Sequence, residues 1–356
     1  MLLGPTALGR NKVYMDKIFP EQSLPLLETV ATMGLMFFIF MVGLELDVNA
    51  LRKMGKGVLL VAGAGIVVPF SASAGLSAIV MKSSIGKDGG GLAPLIMFMG
   101  IPLSMSAFSV LMRIMAEIKL LRTEVGKVVV PAAAMNDVMI WILLAIGVAM
   151  SPVNGHASGD NTSIIGQLRP LWVIMSGVGF GVVMMTLVRK VMIWVASRAI
   201  KEREGGEIYV CGTMLGVLLA GFCSDALGVH SLLGPFLLGL VIPKDRDSSF
   251  AHLMTHKLED FVTGLLLPLF FASSGLKTNL AVLHGVESIG FLLLFTATAA
   301  IGKVGATFVS ARLLMRLPPR KAIILGFLMN TKGLGVLIVL NIGRDVKVSC
   351  YPCFGF

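Results

Sequence analysis

The stretch LMFFIFMVGLELDVNAL, residues 35–51, has a second version in LPLFFASSGLKTNLAVL, residues 267–283. A constant separation of 232 positions sets Phe38 on Phe270, Gly43 on Gly275 and Leu44 on Leu276. Each copy ends an apolar run of the kind that crosses a bilayer, for which about 20 residues are needed. Ten such runs are legible: 26–46, 57–80, 92–115, 125–150, 171–188, 208–225, 230–242, 258–274, 288–315 and 322–342. The copies sit in the first and eighth runs. An odd number of crossings separates them, so they traverse the bilayer in opposite directions. The expected fold is therefore an all-α polytopic membrane protein of about ten transmembrane helices built as an inverted repeat, the architecture of many secondary transporters.

Composition agrees. Hydrophobic residues make up 56% of the chain and charged residues 14%, where soluble domains carry about 25% charged. The net charge of +10 reports topology rather than nucleic acid, because the basic residues alternate between loops. Nineteen fall after the odd-numbered runs and nine in the other loops and ends. The positive-inside bias places the first set in the cytoplasm. The sequon at Asn161 then falls in an outside loop and is a glycosylation candidate. Residues 1–22 contain no apolar core of signal-peptide length, so insertion is expected to rely on the spans. Cys211 and Cys223 read as free thiols packed in an apolar span. Cys350 and Cys353 lack a second ligand pair, so neither a metal centre nor a cofactor is expected.

The repeat pairs the third run with the tenth. The third carries GIPLSMSAFS (100–109) at mid-depth and the tenth carries MNTKGLG (329–335). Both are rich in residues that interrupt helices, and freed backbone groups are tolerated at that depth only where they line a cavity. Two interrupted helices are expected there, with tight packing by small residues as the alternative, and the two breaks can cross. Like-signed half-helix ends would then face each other, and Lys332 stands where it can offset the negative ends.

Within PAAAMNDVMIWILLAIG (131–147), Asn136 and Asp137 stand in the middle of an apolar span. Asp137 lies twelve residues beyond Val125, or about 18 Å along a helix, close to the bilayer centre. A central aspartate costs roughly 2.5 to 3.5 kcal/mol to insert, which makes a functional role the default reading. Lys303 occupies the same depth in the ninth run, and an ion pair with Asp137 would lower both burial costs.

These residues resemble a known family. LLGPTALGR, FFIFMVGLELD, AAAMNDVMIWILLA, GLLLPLFFASSGLKTN and GFLMNTKGL, spread over about residues 1–347, are similar to segments of the plant cation/H+ exchangers of the monovalent cation:proton antiporter-2 superfamily. The resemblance implies a sodium/proton exchanger domain over 1–347, with a first repeat unit at about 1–200, a second at about 207–347 and an atypical tail at 348–356. It implies a core domain beside a dimerisation domain, hence a homodimer in a plant endomembrane or plasma membrane. It also implies Asn136 and Asp137 as the ion-binding pair and Lys303 as the basic partner. Protonated Asp137 has no charge for a cation, and a cation-bound Asp137 excludes the proton. Antiport of K+ or Na+ against H+ follows, with no net charge moved because position 136 is Asn rather than a second acid. Thr331, Ser104 and Ser106 read either as further oxygen ligands or as helix-packing hydroxyls.

The chain departs from the family pattern in several places. The resemblance leads to the expectation of helices before LLGPTALGR and after LNIGRDVKV that this sequence does not include, so the second repeat unit is expected to be incomplete. Ser109 replaces a common Pro, and Gly335-Val336 replaces a common Val-Glu pair, which either alters the charge balance of the crossing or marks release from selection. An inactive truncated fragment that at most associates with intact homologues is therefore the alternative reading. No potassium-channel filter or phosphate-binding loop occurs, which argues against a channel or an ATP-driven pump. The glycines 177, 179 and 181 read as helix packing.

Overall fold

The computed structural model describes residues 17, 19–20, 22–46, 55–82, 92–120, 123–149, 164–201, 206–243, 249–277 and 286–345. Asn161, Cys350, Cys353 and the LLGPTALGR segment lie outside them. Among the described residues every regular element is helical. Eight helices are long and apolar enough to cross a membrane, or nine when Pro319–Met329 and Leu334–Arg344, bent by 44° at their break, count as one span. The tenth expected crossing, the seventh run, is helical only over Leu233–Val241. Nine residues rise about 14 Å, half the hydrocarbon thickness.

The chain forms two compact units, each drawing on both repeats: Met1–Asp47 with Gly159–Ala281, and Val48–Ser158 with Val282–Phe356. The first unit holds α1 (Leu24–Glu45), α6 (Ile164–Val183), α7 (Arg189–Lys201), α8 (Gly206–Ala226), α9 (Leu233–Val241), α10 (Ser249–Phe261) and α11 (Leu267–Lys277). Five-residue π turns, Met184–Val188 and Val262–Leu266, join α6 to α7 and α10 to α11. The basic stretch from Arg189 is therefore helical to Lys201 rather than a loop, and the Arg198 guanidinium lies 5.4 Å over the Trp194 ring. Cys211 and Cys223 are free, but both are exposed on α8 beside Leu215, Leu219 and Phe222, so the expected packing of these thiols is not found among the described residues.

Helix α9 is wedged into this unit by glycines. A Cβ at Gly43 of α1 would lie 2.4 Å from the Phe236 carbonyl oxygen, one at Gly239 would lie 2.2 Å from that of Phe40, and one at Gly234 would lie 2.0 Å from that of Ala220. These backbones touch, so α9 can be short and still be buried. A Cβ at Gly34 would lie 2.6 Å from the Leu266 Cβ. Residues 34 and 266 are 232 apart, the spacing of the sequence repeat, so the two copies cross at counterpart positions.

The second unit shows the same relation. It contains α2 (Lys56–Lys82), α3 (Leu92–Ser104), α4 (Phe108–Glu117), α5 (Glu124–Ala149), α12 (Val286–Leu314), α13 (Pro319–Met329) and α14 (Leu334–Asp345). Gly57 packs on Met315, Gly65 on Thr307 and Gly302 on Pro69, so α2 and α12 are antiparallel along their length. They cross where Gly302 meets the turn holding Phe70, its counterpart at a separation of 232. A helix pair that crosses at its own repeat positions is what opposed copies require.

Exposed ion pairs mark the ends of several helices: Lys257 with Glu207 at 3.2 Å, and Lys321 with Glu124. Such pairs contribute at most about 1 kcal/mol each.

Candidate functional site

Both expected breaks are present in the second unit. Residues 105–107 separate α3 from α4, and 330–333 separate α13 from α14. The breaks touch directly. The Ala107 N–H donates to the Thr331 carbonyl at 3.0 Å, and the Ser106 hydroxyl donates to the Met329 carbonyl at 2.7 Å. Glycine makes this approach possible, since a Cβ at Gly333 would lie 2.6 Å from the Ala107 Cβ.

Helix α5 supplies the acidic pair. Asn136 is fully buried and Asp137 is 3% exposed, whereas Met139 and Ile142 form the outward face of the same helix. The Asn136 side chain fills the first break at both ends: its Oδ1 accepts from the Ser106 N–H at 2.9 Å and its Nδ2 donates to the Ser104 carbonyl at 3.2 Å. The Asp137 carboxylate sits at the N-terminus of α4, accepting from the Phe108 N–H at 3.3 Å. A half-helix N-terminus presents partial positive charge and free N–H groups to that oxygen.

The opposite end of the break is met by cations. Lys303 of α12, completely buried, donates to the Ser104 carbonyl, the same oxygen that Asn136 holds. Lys332 reaches from the second break to three further carbonyls of the first, Pro102 at 3.1 Å, Leu103 at 2.7 Å and Met105 at 2.9 Å. The last turn of α3 thus has two ammonium groups on its orphan acceptors, as a negative helix end requires. Lys332, Lys303 and the Asn136-Asp137 pair thus all make hydrogen bonds to the same break.

The three hydroxyls are all engaged as donors. Ser104 donates to the Ile66 carbonyl at 3.2 Å, Ser106 to Met329, and Thr331 to the Leu328 carbonyl at 3.0 Å. Ile66 lies where α2 is loosened, since Pro69 has no N–H to give the Gly65 carbonyl. Each hydroxyl keeps its oxygen lone pairs.

A family model for the sodium/hydrogen exchanger transmembrane domain matches residues 1–350. The chain belongs to the sodium/hydrogen exchanger family. It is 49% identical over 350 residues to Cation/H(+) antiporter 20 of Arabidopsis thaliana, covering 98% of this chain and 41% of that protein. It is 33% identical to the Na(+)/H(+) antiporter NhaS4 of Synechocystis, covering 98% of this chain and 82% of the relative. Among solved structures it matches the sodium proton antiporter MjNhaP1 of Methanocaldococcus jannaschii with a TM-score of 0.58 at 14% identity, over 99% of this chain and 82% of that one. That likeness shows the fold. The chain spans 41% of the length of the plant relative, so only that share of the larger protein is represented here.

Within this exchanger-family chain, two substituted positions have a local explanation. Ser109 stands in the first turn of α4, where Pro would also fit because that turn leaves its N–H groups unbonded within the helix. Gly335 makes room for Met105, whose Cε lies 2.0 Å from where a Cβ would be. What the sequence could not reveal is the set of backbone acceptors, Ser104, Ile66, Met329 and Thr331, because a carbonyl has no residue signature.

Removing one ammonium tests the helix-end account. Lys332→Met deletes the donor of three carbonyls, which costs about 1 to 3 kcal/mol where water can reach part of the site, as it does at this exposed side chain. The melting temperature in detergent is expected to fall by several degrees, with Lys332→Arg recovering most of the loss; an unchanged value contradicts the capping role.

Proposed function

We propose that the chain exchanges a monovalent cation, K+ or Na+, for a proton across a membrane, electroneutrally, by alternating access to Asp137. The observation that carries this reading is a carboxylate 3% exposed at the heart of an apolar helix unit, set at the positive end of a broken helix. Such a group is stable there only when something shares or neutralises its charge. A proton does so by forming a carboxylic acid. An alkali cation does so by coordination, and the two exclude each other on one carboxylate.

Asn136 holds the break in shape and adds no charge. Lys303 and Lys332 balance the negative helix end. Thr331, Ser104 and Ser106 direct their protons to backbone carbonyls and turn lone pairs elsewhere, as ligands of a hard cation would. The relatives are named as a cation/H(+) antiporter and an Na(+)/H(+) antiporter, which supports the same chemistry. A homodimer in a plant endomembrane or plasma membrane is part of the proposal.

The test is reconstitution into liposomes enclosing a pH-sensitive dye. An imposed Na+ or K+ gradient is expected to move protons at a rate that does not change when the membrane potential is clamped at different values. A voltage-dependent rate overturns electroneutrality. Proton movement absent from a correctly folded, reconstituted chain overturns exchange and favours the fragment that associates with intact homologues.

A further inference from the structure

The two C-terminal half-helix ends at the crossing are treated differently. At α3 the carbonyls of Pro102, Leu103, Ser104 and Met105 are occupied by the ammonium groups of Lys332 and Lys303. At α13 the donors are neutral. The Phe327 carbonyl accepts from the Asn330 N–H at 3.1 Å, the Leu328 carbonyl from the Thr331 N–H and hydroxyl, and the Met329 carbonyl from the Ser106 hydroxyl. The negative end of α13 therefore has no full positive charge donated to it among the described hydrogen bonds.

Asn330 stands at this end as the C-cap of α13. Its side-chain Oδ1 is shielded from solvent and accepts no hydrogen bond. A buried amide oxygen without a donor is destabilising, whereas the Thr331 hydroxyl and the Lys332 ammonium of the same break both donate to carbonyls. The next residue, Thr331, gives its carbonyl to Ala107, the residue before the Phe108 amide that holds Asp137. The oxygen thus belongs to the residue next to the Ala107–Thr331 hydrogen bond that links the breaks, on the side where the negative end lacks a cation.

We propose that the Asn330 side-chain carbonyl is a cation ligand, and that the α13 end with Asn330 is the place where the transported alkali ion meets the second broken helix. The ion supplies the positive charge that lysines supply at α3. An amide oxygen suits K+ and Na+, which take neutral oxygen ligands, and Asn330 has no part in carrying the proton because an amide does not titrate. This inference rests on the exchange reading above and assigns a cation-specific residue within it.

The experiment uses the purified full chain in detergent. Its melting temperature is followed at pH 8 while KCl or NaCl replaces choline chloride at constant ionic strength. The wild type is expected to melt at higher temperature as the alkali ion rises. Asn330→Ala is expected to raise the half-maximal concentration about tenfold, the effect of about 1.4 kcal/mol of lost binding. Asn330→Asp, which keeps an oxygen at the same reach, is expected to match or lower the wild-type value, and Asn330→Ser serves as a second variant should the alanine form fail to fold. An unchanged half-maximal concentration in Asn330→Ala or Asn330→Ser, alongside loss of the response in Asp137→Asn, overturns the assignment and leaves exchange at Asp137 standing. No alkali-ion response in the wild type overturns both.

Discussion

Asp137→Asn is expected to abolish the proposed cation/proton exchange, with a loss of at least about a hundredfold, while the protein folds and inserts as before. Asparagine has the shape of the aspartate and can still accept the Phe108 N–H, now at 3.3 Å to the carboxylate. What it loses is the charge assistance of that bond, about half its strength, and every ability to gain or lose a proton. A positioned proton-transferring group is worth roughly two to four powers of ten in rate, and a single-carboxylate exchanger has no second group to take over. Asn136 cannot do so. The substitution also relieves the burial cost of a charged group, so a small rise in melting temperature is consistent with the account. The measurement pairs dye-reported proton flux in liposomes with a melting curve. Flux surviving in a folded Asn variant means that the proton travels by another group.

The largest effect on stability belongs to Gly234. A Cβ there would lie 2.0 Å from the Ala220 carbonyl oxygen and 2.4 Å from its carbon, and both atoms are backbone within a helix. Neither can swing aside as a side chain would. Overpacking of this kind costs about 1 to 3 kcal/mol even where side chains yield, and here α9 must separate from α8. Gly234→Val is expected to give protein that aggregates on extraction or melts several degrees lower, the shift that a loss of a few kcal/mol produces. Gly63→Ala is the control, because nothing lies within 4 Å of a Cβ at that position. Equal melting temperatures for Gly234→Val and the wild type would show that α8 and α9 are not in backbone contact.

Much of this arrangement was written in local sequence signals. The repeat at a separation of 232 made the opposed copies legible; that they meet at counterparts, Gly34 with Leu266 and the Phe70 turn with Gly302, came from the structure. The two breaks were legible from helix-interrupting residues at corresponding depth. Asn136, Asp137, Lys303 and Lys332 were legible because charge and amide groups are costly in an apolar span and rarely appear there without a task. Three things were not. The shortness of the seventh run, 230–242, was visible in the sequence; its burial was not, because that comes from glycine contacts with Phe40 and Ala220 rather than from crossing the layer. The extension of α6 through a π turn into α7 was hidden by basic residues that read as loop. The surface position of Cys211 and Cys223 was missed because an apolar span looks the same whether its neighbour is protein or lipid. Asn330 belongs with the unread features as well. It stands beside the more conspicuous Thr331 and Lys332, and only its lack of a donor in three dimensions sets it apart.

The direct test of a carboxylate shared by two ions is how the cation requirement moves with pH. In liposomes containing the wild-type chain, the half-saturating Na+ or K+ concentration is measured over a series of pH values. Competition for Asp137 predicts that, once the carboxyl is largely protonated, this concentration rises about tenfold for each unit the pH falls, because one proton must leave for each cation that binds. A half-saturating concentration that stays constant across that range, with only the maximal rate changing, contradicts a shared site.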